Sequence, residues 1–427
     1  MPALVWFTRD LRVHDNPALR AALQESESVV PVFCLDDRIL HGRHSSGPRT
    51  QFMLECLADL DESLRERGGA LVIRRGRPED ELPRLAAEVG ADAVHFTRDV
   101  TPFSRRRRVE GLALRPHPGL TVVDDVADIK PYVVFSPFHR TWEREPRREV
   151  LGAPRKVELP PGLDPGSIPT LEELGLEQEV DHPAKGGETE ARRRLKGFAA
   201  TQTQETSRLS PYLHFGCISP REAEERIPDA RFRRQLAWRD FFHQVLLNHP
   251  SNAHHEFQER YRGTIDWERD DEALDAWKEG RTGFPFVDAG MRQLRREGWM
   301  PNRVRLVVAS FLTKQLGIDW REGERHFMRY LIDGDEANNN GNWQWIASVG
   351  VDPAPYFRRL YNPARHAERY DPDGAYVHRY VPELRDAPGD YPAPIVDQRE
   401  GRERAIERYR VAAGRAARGT RAETSRL

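Results

Sequence analysis

The stretch ALVWFTRDLRVHDNPALRAALQESESVVPVFCL, residues 3–35, begins and ends on apolar runs separated by a charged middle. Ala3–Phe7 and Val29–Leu35 read as short buried strands. The alternation continues outward. Ala70–Arg74, Ala93–Thr97 and Leu120–Asp124 are further candidate strands, with helical patterns such as Gln51–Glu66 and Glu79–Val89 between them. Strand–helix alternation at this spacing predicts a doubly wound parallel sheet. No GxGxxG follows the first strand, so the usual dinucleotide fingerprint is missing.

The character changes near residue 146. PRREVLGAPRKVELPPGLDPGSIPTLEELG and HPAKGGETEA are rich in Pro and Gly and read as a connection crossing a surface. Helical patterns follow at Glu188–Phe198, Pro220–Glu225, Arg231–Leu247, Phe286–Arg296, Asn302–Leu316, Glu322–Ile332 and Gln398–Ala416. The expected architecture is an α/β domain over residues 1–130, an inter-domain connection over 131–190 and an all-α domain over 191–427. A chain of 427 residues suits such a division.

Charged residues make up 31% of the chain, yet the formal net charge is only −2, so a whole-protein basic signature for nucleic acid is absent. A local basic face remains compatible with that balance. No apolar run is long enough to span a bilayer, and the N-terminus turns charged at Arg9, unlike a signal peptide. Cys34, Cys56 and Cys217 are scattered, with neither a disulfide framework nor metal spacing, which predicts a reducing cytoplasm and no metal.

Seven of the nine Trp fall between residues 238 and 345. Core packing accounts for such clustering as well as function does. LIDGDEANNNGNWQW, residues 331–345, sets Asp333, Gly334 and Asp335 before three Asn, then Trp343 and Trp345. Amides both donate and accept, so this run suits a polar heterocycle as well as a helix cap. In WMPNRVRLVVASFLTKQL, Arg305 precedes an apolar run, and a buried Arg needs a carboxylate such as Asp333 or Asp335. Thr206, Ser207 and Ser210 precede a helix, where hydroxyls serve a phosphate or a cap. QLAWRDFFHQ places Gln235, Trp238 and Arg239 on one helix face. There is no HExxH, P-loop or GxSxG.

Taken in order, WFTRDLRVHDNPAL, TSRLSPYLHFG, AWRDFF, TGFPFVDAGMRQLRREGWMPNRVR, DWREGERHFM, DGDEANNNGNWQW and YPAPIVDQREGRERAIERY resemble the photolyase/cryptochrome family along essentially the whole chain. The closest likeness is to class I cyclobutane pyrimidine dimer photolyases. The resemblance implies an antenna-type α/β domain and a helical FAD-binding domain. It implies that Thr206, Ser207, Arg208, Leu209 and Ser210 hold the FAD phosphates. It sets Trp238 and Arg239 between flavin and substrate, Arg305 and Asp333 as an ion pair beside the isoalloxazine, and Gly334, Asp335 and Asn339 at the flavin, with Asn339 facing N5. Trp343, Trp320 and Trp267 match an electron-transfer chain. Gln235, Trp238, Asn302, Arg303, Trp345 and Arg358 match lesion or DNA contacts. A monomer acting on pyrimidine dimers in DNA, with no membrane partner, is the implied state. The RDVTPFSRRRR segment sits where family members vary between folate and deazaflavin antennas, or carry none.

Three positions depart from the class I pattern. Gln235 stands where Glu is usual, Pro301 where His is usual and Leu306 where Met is usual. An amide cannot carry charge or supply a proton. Gln at that position is shared with (6-4) photolyases and animal cryptochromes, but the (6-4) enzymes need His at Asn302 and Leu306. Plant-type cryptochromes carry Asp at Asn339 and a long signalling tail. Cyclobutane-dimer repair is therefore the leading expectation, with a non-repairing photoreceptor and (6-4) repair as alternatives.

Overall fold

The computed structural model describes residues 1–201 and 206–424. Its contacts gather the chain into two compact units. The first contains Met1–Glu179, Pro183–Pro250 and Ile332–Asp335; the second contains Val180–His182, Ser251–Leu331 and Glu336–Leu427.

The first unit is built on five parallel strands: β1 (Ala3–Phe7), β2 (Val29–Leu35), β3 (Val72–Arg75), β4 (Ala93–Thr97) and β5 (Ala113–His117), in the order β3-β2-β1-β4-β5. Every residue of β1 and β2 is buried, which is why both read as unbroken apolar runs. Pro31 is tolerated inside β2 because the pairing with β3 starts only at Val32.

The fifth strand is not where the apolar pattern predicts it. Leu120–Asp124 is irregular, and the edge strand is Ala113–His117, whose residues are mostly exposed and include Arg115 and Pro116. A solvated edge strand has no need to be apolar, and charge and Pro there block further pairing. Residues 120–124 are apolar for another reason. Leu120, Thr121, Val122 and Val123 are buried, and side chains take up backbone groups of the segment. Asp240 accepts from the Val122 N–H at 2.9 Å, and Arg239 donates to the Leu120 carbonyl at 2.6 Å.

The segment after β1 turns on buried polar groups. The Asp10 carboxylate accepts from the Thr8 N–H at 2.8 Å and from the Thr97 hydroxyl at 2.7 Å, tying the ends of β1 and β4 together. Arg12 is fully buried and donates to the carbonyls of Asp15, Gly216 and Gly119. Phe135–Trp142, within the stretch read as a connection, is a helix that buries Phe135, Phe138 and Trp142. Cys56 and Cys217, far apart in sequence, bring their sulfurs to 3.2 Å as buried free thiols. Burial and the neighbouring thiol raise the Cys56 pKa well above its usual range.

The second unit is helical around a core that includes Trp277, Trp320, Trp343, Phe327 and Leu294. The expected helix over 302–316 is Asn302–Ser310 followed by a π turn, Phe311–Leu316. Within the wider turn Lys314 is fully buried and donates to the Ala347 carbonyl and the Ser348 hydroxyl, each at 3.2 Å. The helix expected at 322–332 runs Trp320–Tyr330, capped by Asp319, and ends before Ile332–Asp335 joins the first unit. Among the described residues no helix is long and apolar enough to cross a membrane.

Gly216 shows how tightly the first unit closes. It has φ 66°, and an added Cβ would lie 2.0 Å from the Arg9 carbonyl oxygen. Gly216→Ala is expected to destabilise the fold by about 2–4 kcal/mol through left-handed strain plus overpacking, measured as a lowered urea midpoint.

Candidate functional site

Within the first unit, the turn Ile332–Asp335 is buried, and Asp335 is its electrostatic centre. Arg9, from the end of β1, pairs with the Asp335 carboxylate and also with Asp99 at 3.5 Å. His214 Nδ1 lies 3.9 Å and His243 Nε2 3.7 Å from the same oxygen. Burial opposes the charge on Asp335, but the Arg9 guanidinium, with Arg239, holds its pKa well below the usual carboxylate range. Burial also keeps both imidazoles neutral: His243 falls to about 4 and His214 well below its usual value. His243 donates through Nδ1 to the Arg239 carbonyl at 2.8 Å. His243 Nε2 and His214 Nδ1 are buried without a hydrogen-bond partner among the described residues.

The charged partner of Asp335 in this unit is thus Arg9, a residue the sequence reading did not select. His214 and His243 were also missed. The available signal was the charged TRD tripeptide at the end of an apolar strand, where parallel sheets bind ligands.

The Ala230–Asn248 helix carries the other first-unit candidates. Gln235 is exposed. Trp238 is half-buried and stacks on Phe135, ring centroids 3.7 Å apart and planes within 4°. The Arg239 guanidinium turns inward to the carbonyls of Leu120 and Leu213. Asp240 beneath it is pushed up to about 6 by burial, despite Arg239 and a hydrogen bond from Trp142. In Thr206–Ser210, Thr206 is exposed, Ser207 and Arg208 are half-buried and Leu209 is buried. Arg208 adopts φ 51°, and Ser210 opens a short helix. Asp333 and Gly334 are buried.

In the second unit, Asn339 lies on the Glu336–Ile346 helix and is buried. Its amide nitrogen donates to the Glu324 carbonyl at 3.0 Å and to the Glu324 carboxylate at 3.3 Å. Both bonds use Nδ2, which orients Oδ1 as the acceptor. Trp343 is 2% exposed and packs edge-on to Phe327 and Trp277. Gly323 makes room for it: a Cβ there would meet the Trp343 ring at 2.1 Å. Trp320 is 1% exposed and Trp267 is half-buried against the same core. Arg305 is half-buried and donates to the Met300 carbonyl. Asn302, Arg303 and Arg358 are exposed, and Trp345 is half-buried. Among the described residues no group of His, Cys, Asp or Glu could hold a metal ion.

Similarity to known proteins agrees with this composition of polar, aromatic and charged groups. Residues 3–160 match the DNA photolyase family, and residues 232–411 match the FAD binding domain of DNA photolyase. A deoxyribodipyrimidine photo-lyase of Streptomyces griseus is 40% identical over 96% of this chain and 99% of its own length. A cryptochrome DASH of Natronomonas pharaonis is 37% identical over 92% of this chain and 98% of its own. An archaeal photolyase from Sulfolobus tokodaii, solved with two FAD molecules, superposes with a TM-score of 0.85 at 33% identity, covering 96% of this chain and 100% of its own. The chain belongs to the photolyase/cryptochrome family, and its cofactor is FAD. In the second unit the Asn339 Oδ1 is oriented as an acceptor, which fits the protonated ring nitrogen of a flavin.

The histidine burial has a pH signature. A group with a depressed folded-state pKa lends stability that is complete above its unfolded pKa and is lost as pH falls towards the folded one. For His243 that window runs from 6.5 down to about 4. His243→Gln is expected to flatten the acid-side fall in holoprotein stability across that window, by up to about 1.4 kcal/mol per pH unit. Urea unfolding at successive pH values measures it; an unchanged slope contradicts the assignment.

Proposed function

We propose that this protein repairs DNA in light by splitting cyclobutane pyrimidine dimers. The observation that carries the reading is the near-full-length likeness, at 40% identity, to a protein named deoxyribodipyrimidine photo-lyase. Reduced FAD, when bound, would supply a photoexcited electron to the dimer and take it back once the cyclobutane ring has opened, so that the splitting is redox-neutral.

The chain's own residues do the rest. Thr206, Ser207, Arg208, Leu209 and Ser210 would hold the FAD phosphates through hydroxyls and backbone N–H groups. Arg239, Arg305, Asp333, Gly334 and Asp335 would hold the ring system and its polar edge. Asn339 Oδ1 would accept the hydrogen of a protonated N5. Trp343, Trp320 and Trp267 offer electrons a path inward from the half-buried Trp267. Trp238 and Trp345 border the lesion, with Gln235 and Asn302 hydrogen-bonding it and Arg303 and Arg358 on the DNA backbone. The exposure of Gln235, Asn302, Arg303 and Arg358 supports contact with a macromolecule. The lesion reaches such a pocket by base flipping, for which photolyases are themselves a standing example. The protein acts as a cytoplasmic monomer, and a folate or deazaflavin serves as antenna where a second chromophore is present.

A light sensor without repair is the second reading. It is favoured by the cryptochrome DASH relative and by Gln235, whose amide cannot carry the charge of the usual Glu. One assay separates the two. Blue light on the reduced protein with DNA bearing one thymine dimer should restore two thymines, and DNA bearing a (6-4) photoproduct should remain unrepaired. No restoration of the dimer would sink the repair reading.

Trp343→Phe should slow photoreduction of oxidised FAD at least tenfold, while dimer splitting by chemically reduced protein stays within about twofold of wild type. Transient absorption measures the first and chromatography of the thymines the second. Unchanged photoreduction would show that electrons enter elsewhere.

A further inference from the structure

We propose that Arg359 is a positioning residue that holds the indole plane of Trp345 for stacking on a flipped pyrimidine dimer. The inference rests on the reading of Trp345 as a wall of the lesion pocket.

Arg358 and Arg359 are adjacent but differ sharply. Arg358 is exposed, whereas Arg359 is 2% exposed. The Arg359 guanidinium carbon lies 3.9 Å from the centroid of the Trp345 indole, within cation–π range. Nη1 donates to the Trp345 carbonyl at 2.7 Å, and Nη2 donates to the Asp352 carbonyl. Asp352 completes the clamp, because its carboxylate accepts from the Trp345 indole N–H at 3.1 Å. The face, edge and backbone of Trp345 are therefore all fixed by one Arg–Asp pair.

The pair is itself anchored. Ser310, at the end of the Asn302–Ser310 helix, donates its hydroxyl to the Arg359 carbonyl at 3.0 Å and accepts from the Tyr361 N–H at 3.1 Å. Asp352 holds φ 53°, a left-handed conformation that Gly adopts freely and that Asn and Asp tolerate better than other side chains. Burying a guanidinium is unfavourable unless something compensates. That cost falls on a residue that touches Trp345, an aromatic left half-buried rather than enclosed. A planar fork can stack and bond two carbonyls together; an ammonium cannot. A fixed indole reduces the ordering entropy of stacking on a base.

The bland alternative is that Arg359 merely caps the carbonyls after the Glu336–Ile346 helix. Dark binding separates the two, using labelled duplexes with and without one cyclobutane thymine dimer. Arg359→Lys should weaken binding of the dimer duplex about tenfold, with undamaged-duplex affinity within twofold and FAD content unchanged. In a Trp345→Phe background the same change should add no further loss, because Arg359 acts through the indole. Asp352→Gly removes the edge contact, suits the left-handed backbone and should weaken dimer binding alone by about threefold or more. Full dimer affinity in Arg359→Lys or Asp352→Gly would overturn the proposal, as would equal losses on both duplexes or additive loss in the Trp345→Phe background. If the wild-type protein itself shows no preference for the dimer duplex, the reading of the pocket fails, and this inference fails with it.

Discussion

The Asp335 carboxylate is buried among Arg9, His214, His243 and Arg239, and the first unit closes around that charge. An ionised carboxylate removed from water without partners is prohibitively unfavourable, and removing one partner of a buried pair costs about 3–5 kcal/mol. Arg9 therefore has to extend from the end of β1, while burial and the neighbouring guanidiniums keep the two imidazoles neutral. Three stretches distant in sequence, residues 9, 214–243 and 332–335, are pinned to one place by this requirement. Next along the chain, buried Asp10 and Arg12 bond Thr97 and backbone carbonyls at the end of the sheet.

The second unit applies a different constraint, one of shape. Gly323 leaves room for the Trp343 ring, and Glu324, next along the same helix, takes both hydrogens of the Asn339 amide. One helical turn thus sets both an indole and an acceptor oxygen. Burial divides the Trp cluster. Trp277, Trp299, Trp320 and Trp343 are core, whereas Trp238, Trp267 and Trp345 are half-buried. Packing and function share the cluster, with Trp320 and Trp343 serving both in the proposed electron path.

Much of the fold was legible because buried parallel strands must be apolar along their whole length. Ala3–Phe7 and Val29–Leu35 follow from that rule to the residue. Ala113–His117 was illegible because an edge strand faces water, and 120–124 misled because burial without strand pairing leaves the same apolar trace. At the site, Asn339, Asp335 and the indoles stood out as unusual residues for a helix run. Arg9, His214 and His243 did not, since each draws its importance from contacts across the chain. Cys56 and Cys217 looked scattered for the same reason. Arg359 was passed over for its exposed neighbour Arg358, a distinction that only burial draws.

The proposed flavin site, indole path and DNA contacts serve one light-driven activity. The action spectrum of dimer repair tests that union most directly. The account predicts that repair per absorbed photon follows the near-ultraviolet and blue absorption of the reduced, FAD-loaded protein and vanishes in the dark. Repair that proceeds in darkness, or an FAD-loaded reduced protein that splits no dimers at any of those wavelengths, would contradict it.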